Sequence, residues 1–309
     1  MPSSAMPTST SFRFAGATLA ALLAACVVGA CASPTGQLRT LAAARGFERQ
    51  SIDSGGFRLT VLGNATLANG AGLPAELPDP LSVLHVYLEG DGRPWAYRVF
   101  VTPDPTPRQP LMLALMALDP APSAYVGRPC YNGTAADVGC SHALWTSARY
   151  SDAVVESMTG AIRSLVHRHG FDGVRLFGHS GGGTLALLIA GRLSGTRDVV
   201  TVAGNLDPDA WTRHHRFLSL RDSLNPSLEA RLDDAVRQWH LVGELDQVVP
   251  PVLAGAYVRA NPAATARVFT GFSHGCCWRR IWPDVLLAVT RGDASRLPGV
   301  PFEPDLPSD

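Results

Sequence analysis

The chain has 309 residues, 46% of them hydrophobic, enough to bury a sizeable core in one large domain or two small ones. Acidic and basic residues balance at 26 each, and no basic stripe or charge block marks a nucleic-acid partner. Every basic residue is Arg; the absence of Lys excludes a lysine nucleophile, a Schiff base and a P-loop lysine.

Residues 1–31 read as a signal peptide. Arg13 is the one charge before an apolar stretch over 14–30, which has the length of a signal h-region and is short for a membrane span. Two segments fit a bacterial lipobox: Leu23-Ala24-Ala25-Cys26 and Val28-Gly29-Ala30-Cys31. Cys26 has the more typical sequence. Cys31 has the better context, because the apolar run ends there, and is the favoured lipidation site. An ordinary cleaved signal is the alternative. Lipidation would anchor the chain on the periplasmic side of a bacterial membrane without spanning it. Ser33-Pro34-Thr35-Gly36 reads as a flexible tether, and 32–54 as tether and polar lead-in.

Alternation over 57–62 predicts an edge strand. A Gly/Pro-rich loop follows, then a near-continuous apolar run over 81–88 that predicts a buried parallel strand ending at Glu89-Gly90-Asp91-Gly92. Proline-dense 103–110 opens a helix over 111–118, and 123–126 is a short strand. Export implies an oxidising compartment. Cys130 and Cys140 flank a turn-rich loop and are expected to pair. Cys276 and Cys277 would pair with each other or each with the 130/140 loop. Cysteine spacing matches no common zinc site, and no metal is expected.

Apolar positions at helical spacing predict a helix over 151–169. Val174-Arg175-Leu176-Phe177 then runs into Gly178-His179-Ser180-Gly181-Gly182 and an apolar helix over 184–190. A strand, a sharp Gly-x-Ser-x-Gly turn and a helix make a nucleophile elbow, with Ser180 as the candidate nucleophile. Strands are predicted over 198–203, 239–243 and 266–270, with a closing helix over 281–289. Residues 205–236 lack a clear strand and would form a small cap or a long insertion. The segment 293–309 is a Pro-rich, loosely held tail.

A serine hydroxyl needs a base, and the base needs an orienting group. Asp246 follows the 239–243 strand and His274 follows the last strand, both at carboxyl ends where open α/β sheets gather their sites. Asp207, also after a strand, is the runner-up acid, a pocket residue or a helix cap.

The chain order Ser180, Asp246, His274 and the elbow together resemble the α/β-hydrolases over 55–292. More loosely, Leu88-Glu89-Gly90-Asp91-Gly92-Arg93-Pro94-Trp95 resembles a branch of exported bacterial hydrolases. The resemblance implies an α/β fold with a mostly parallel sheet covered by helices on both faces. It implies a serine hydrolase that works through an acyl-enzyme without cofactors, acting on a small acyl substrate such as a carboxylic ester or thioester. Amide or peptide hydrolysis and a non-catalytic lipid- or cell-wall-binding lipoprotein are the alternatives. Its oxyanion hole would use the backbone N–H of Gly181 and that of Asp91 or Gly92. The Asp91 side chain should then point away or pair with Arg93. His179, Trp95, Asn205, Asp207 and Trp278 are candidates for the substrate pocket. His142, His214 and His215 are expected at the surface or in the pocket.

Overall fold

The computed structural model describes Met1 and residues 33–68, 82–97, 99–230 and 232–303. The signal segment, with Cys26 and Cys31, lies outside the described residues. No helix among the described residues is long and apolar enough to cross a membrane.

One nine-stranded sheet organises the chain. An antiparallel hairpin of β1 (Glu48–Ser54) and β2 (Phe57–Gly63) forms one edge. The sheet continues through β3 (Val83–Leu88), β6 (Ser123–Val126), β7 (Gly173–His179), β8 (Thr196–Val202), β9 (Arg237–Gly243), β10 (Thr265–Phe269) and β11 (Val300–Pro301). A separate small hairpin, β4 (Trp95–Ala96) with β5 (Phe100–Val101), projects after β3. The order in the sheet is β1-β2-β6-β3-β7-β8-β9-β10-β11, with β6 through β10 parallel.

Period-2 alternation along the buried strands splits the core between two faces. Leu84, Val86, Leu88 and Leu176 meet α4 (Asp152–His169) and α5 (Gly181–Ala190) on one side. Tyr87, Phe177, Val200 and Leu241 meet α1 (Pro34–Ala43), α3 (Leu111–Met116) and α9 (Trp278–Arg291) on the other. The short α2 (Ala65–Ala68) follows β2. α4 starts with Asp152 in its first turn, carries His167, Arg168 and His169 in its last, and stops at left-handed Gly170. The amino end of the sheet is tied by the buried His85–Asp119 contact at 2.6 Å and by the buried Asp198, which pairs with Arg175 at 2.8 Å and with the partly exposed Arg237 at 2.7 Å.

Three expectations change. Residues 34–43 are a helix, not a tether: Ser33 Oγ accepts the Gly36 N–H at 3.0 Å, Pro34 takes the first turn, and Leu38 and Ala42 enter the core. The lead-in carries β1. The tail is held as far as it is described, because Leu297 is buried and β11 pairs with β10. The insertion over 205–236 holds α6 (Pro208–His215) and α7 (Pro226–Glu229), and its later part lays Leu220, Leu224 and Leu232 onto the α5 side of the core. Cys130 is bonded to Cys140, their Cα atoms 5.5 Å apart, and Cys276 to Cys277.

From β3 the chain crosses to β6; from β7 it crosses the other way to β8. The reversal falls between β3 and β7, and open α/β sheets bind ligands in the crevice outside the carboxyl ends at such a point.

Candidate active site

Ser180 stands on the turn from β7 into α5 with φ 53° and ψ −121°, a conformation that non-glycine residues avoid. The backbone holds it there: Ser180 N–H donates to the Val202 carbonyl at 3.0 Å, and its own carbonyl accepts from Asn205 N–H at 3.1 Å. The turn is possible because Gly178 and Gly182 are glycines. A Cβ on Gly178 would strike the Gly182 carbonyl, and one on Gly182 the carbonyls of Leu88 and Glu89. α5 is buried along its whole length, consistent with its apolar residues all round.

Asp246 lies in the loop from β9 to α8 (Val252–Ala260), its carboxylate fully buried. One oxygen accepts the N–H groups of Val248 (2.8 Å) and Val249 (2.9 Å); the other meets His274 Nδ1 at 2.8 Å. Nδ1 therefore carries the proton and Nε2 is left as an acceptor. His274 keeps 21% of its side chain exposed. No hydrogen bond joins Ser180 to His274 among the described residues; the elbow and the imidazole are linked through His179. The His179 ring lies 4.6 Å from that of His274, and its Nε2–H donates to the His274 carbonyl at 3.0 Å.

His179 is a structural strut between the elbow and the His274 loop more than a pocket wall. Burial, then the neighbouring His274, push its imidazole down to about 3, so it stays neutral. Glu89 stands 3.8 Å from His179 Nδ1 and takes the Met112 N–H at the start of α3 (3.0 Å). Burial pushes its carboxyl up to about 7 against the pull of the Gly90, Met112 and Leu113 N–H groups and of Arg128.

Asp91 departs most from expectation. Its side chain does not pair with Arg93. It turns back over Gly181, where a Cβ would strike Asp91 Oδ1 and the Tyr150 hydroxyl. There it pairs with Arg128 (2.8 Å) and Arg149 (2.9 Å) and accepts the Tyr150 O–H at 2.7 Å. Burial opposes the charge, but Arg128, Arg149 and Tyr150 outweigh it and hold the carboxyl at about 2. Arg128 itself is buried between the rings of Tyr131 and Tyr150, its Cζ 5.5 and 5.6 Å from their centroids. Two cations thus face one anion beside the elbow. Sequence reasoning missed Arg128, Arg149 and Tyr150; their signal was their place after β6 and before α4, where loops reach the same crevice. In the 89–93 loop, Gly90 N–H goes to Glu89 and Arg93 N–H to the Pro105 carbonyl.

The remaining pocket candidates separate. Trp278 is fully buried against Phe269 and Phe272, and its Nε1–H donates to the His274 carbonyl at 3.2 Å, so it is a core aromatic. Its helix turn sends the indole inward, despite its closeness to His274 in sequence. Trp95 sits on the projecting β4–β5 hairpin, 41% exposed. Asn205 is buried behind the elbow, its carbonyl accepting from Thr184 Oγ1 at 2.6 Å. Asp207 caps α6, taking Asp209 N–H (3.1 Å), Ala210 N–H (2.9 Å) and Asn225 Nδ2 (2.8 Å) on one oxygen. His214 and His215 close α6, and His215 Nε2 meets the Val248 carbonyl at 2.8 Å. His142 is exposed against Trp145.

No family model matches the sequence, and no curated protein matches it. Solved structures do. Puromycin hydrolase is similar over 83% of this chain and 41% of that one, with 16% identity and a TM-score of 0.56. A puromycin-hydrolyzing peptidase of Mycobacterium tuberculosis is similar over 82% of this chain and 40% of that one, with 16% identity and a TM-score of 0.55. Esterase Pf2001 of Pyrococcus furiosus is similar over 82% of this chain and 93% of that one, with 11% identity and a TM-score of 0.52. The chain therefore spans well under half of the puromycin-cleaving proteins and nearly all of the esterase. With its sheet order, elbow and crevice, this chain has the α/β-hydrolase fold.

Proposed function

We propose that the protein is a serine hydrolase that cleaves carboxylic esters or thioesters through an acyl-enzyme. The observation that supports this reading is the strained elbow at Ser180, with a hydrogen-bonded Asp246–His274 pair tied to it through His179. His274 Nε2 takes the Ser180 proton as Oγ attacks the acyl carbon. Asp246 keeps the proton on Nδ1 and stabilises the imidazolium that forms. The N–H of Gly181, at the first turn of α5 and without an intrahelical partner, faces the developing oxyanion with that of Asp91 or Gly92. Arg128 and Arg149 offset the Asp91 carboxylate, which would otherwise repel that oxyanion. His274 then protonates the leaving alcohol or thiol, and water attacks the acyl-enzyme with His274 again as base.

Fluorophosphonate labelling tests the assignment. The wild type should label at one serine and Ser180→Ala should not; a folded wild type that fails to label refutes it. An amide substrate is the second reading, prompted by the puromycin-cleaving proteins that share the fold. Paired nitrophenyl esters and nitroanilides of one acyl group decide between them. We further propose that the chain is exported and lipidated at Cys31, with Cys26 as the alternative. Fatty-acid incorporation that survives Cys31→Ala would move the site to Cys26.

A further inference from the structure

We propose that the β4–β5 hairpin is a docking element for the surface of a phospholipid bilayer, set beside the mouth of the active site. The hairpin leaves the 89–92 loop directly and exposes a run of large apolar side chains: Tyr97 is 85% exposed, Val99 68%, Phe100 67% and Trp95 41%. Apolar residues gathered on one projection, with Trp and Tyr among them, are the composition of a membrane-interface contact.

The projection is braced at its base, so the tip does not fold back. Val101 packs on the cluster of Cys130, Tyr131 and Trp145, which the Cys130–Cys140 bond closes. Trp145 Nε1–H donates to the Thr102 carbonyl at 3.1 Å, and Thr102 N–H to the Pro94 carbonyl at 2.9 Å.

Two observations select a bilayer as the occupant. The apolar N-terminal segment joins the described chain at Ser33, the cap of α1. The first described turn is fixed to the loop that leaves β5, with Thr35 N–H donating to Asp104 Oδ2 at 3.1 Å and the hydroxyls of Thr35 and Thr106 3.2 Å apart. A lipid on Cys31 would therefore hold this side of the molecule against the membrane. Charge agrees: the sequence over 93–108 carries Arg93, Arg98 and Arg108 against the single acid Asp104, which suits anionic headgroups. Apolar contact and cationic attraction act together in such interfacial binding. The inference rests on the lipoprotein reading for its orientation. With the hairpin in the interface, the crevice opens toward the lipid phase, and acyl chains carried by that phase become the substrate class.

The test uses a chain starting at Ser33, which keeps the α1 cap and both faces of the core but no acyl anchor. It is sedimented with vesicles of phosphatidylglycerol and phosphatidylethanolamine, beside the double variant Tyr97→Ser, Phe100→Ser. The wild type should pellet with the vesicles and the variant bind at least about tenfold more weakly, from the apolar area lost. Its thermal midpoint and its turnover of a soluble short-chain ester should match the wild type. Equal binding by both proteins, or none by the wild type, overturns the proposal. So does variant loss of soluble-ester turnover, which would put the hairpin in the substrate pocket. A wild-type dimer that the variant breaks would assign the surface to a second copy and also overturn it. Vesicle binding needs no catalysis, so inactivity toward every ester would count against the serine-hydrolase reading alone.

Discussion

Asp91→Asn removes one negative charge from between two buried arginines and keeps the side-chain shape. In the folded protein the Asp91 carboxyl is held at about 2 against an ordinary 3.8. At about 1.4 kcal/mol per pH unit, that drop favours the charged folded form by about 2.5 kcal/mol. The variant also leaves Arg128 and Arg149 without their counterion in a largely buried site, a loss that typically totals about 3–5 kcal/mol. A carboxyl with a lowered folded pKa stabilises the fold above its unfolded value and ceases to do so as pH falls through the folded one. The variant should therefore be less stable by about 2–5 kcal/mol at pH 7. The part that comes from ionisation of Asp91 should disappear between about pH 4 and pH 2. Urea denaturation followed by circular dichroism from pH 7 to pH 2, on both proteins, measures the difference. A gap that does not change with pH, or one below about 0.5 kcal/mol at pH 7, would refute the charge cluster as described.

Asp246→Asn should lower kcat on the order of 10⁴-fold with little change in KM, by losing the Nδ1 tautomer of His274. Asp207→Ala should instead cost about 1 kcal/mol of stability in thermal melts and leave kcat within about twofold, because it removes a helix cap. Glu89→Gln should flatten the pH dependence of stability. The buried acid holds its proton to about 7 while the unfolded chain releases it from about 4.5, so wild-type stability falls as pH rises across that window. Urea melts at pH 4.5 and pH 8 should show a wild-type decline on the order of 3 kcal/mol greater than that of the variant; equal declines would remove Glu89 from the account.

The elbow, the buried strands and the Asp246–His274 pairing were legible because each rests on local chemistry. Small residues around Ser180, apolar runs of strand length and acid or imidazole groups just past strand ends appear within a few positions of one another. The cluster around Asp91 was not legible. Its partners Arg128, Arg149 and Tyr150 come from other loops, and only the sheet order brings them over Gly181. Ser33-Pro34-Thr35-Gly36 misled for a different reason. The same small residues serve a flexible tether or an N-cap with Pro in the first turn, and the apolar partners that decide, Leu38 and Ala42, lie further along the helix.

The sheet's two outer strands bear on solubility. An uncovered strand offers its free N–H and C=O groups to any other chain, and proteins blunt such edges with charge or proline. β1 presents Glu48, Arg49 and Asp53 along one margin. At the other, β11 lies antiparallel on β10 and ends in Pro301, which has no N–H to offer a further strand. Removing the chain from Pro298 onward would bare the β10 edge at Thr265-Ala266-Arg267-Val268-Phe269 and turn a closed margin into a template for self-association.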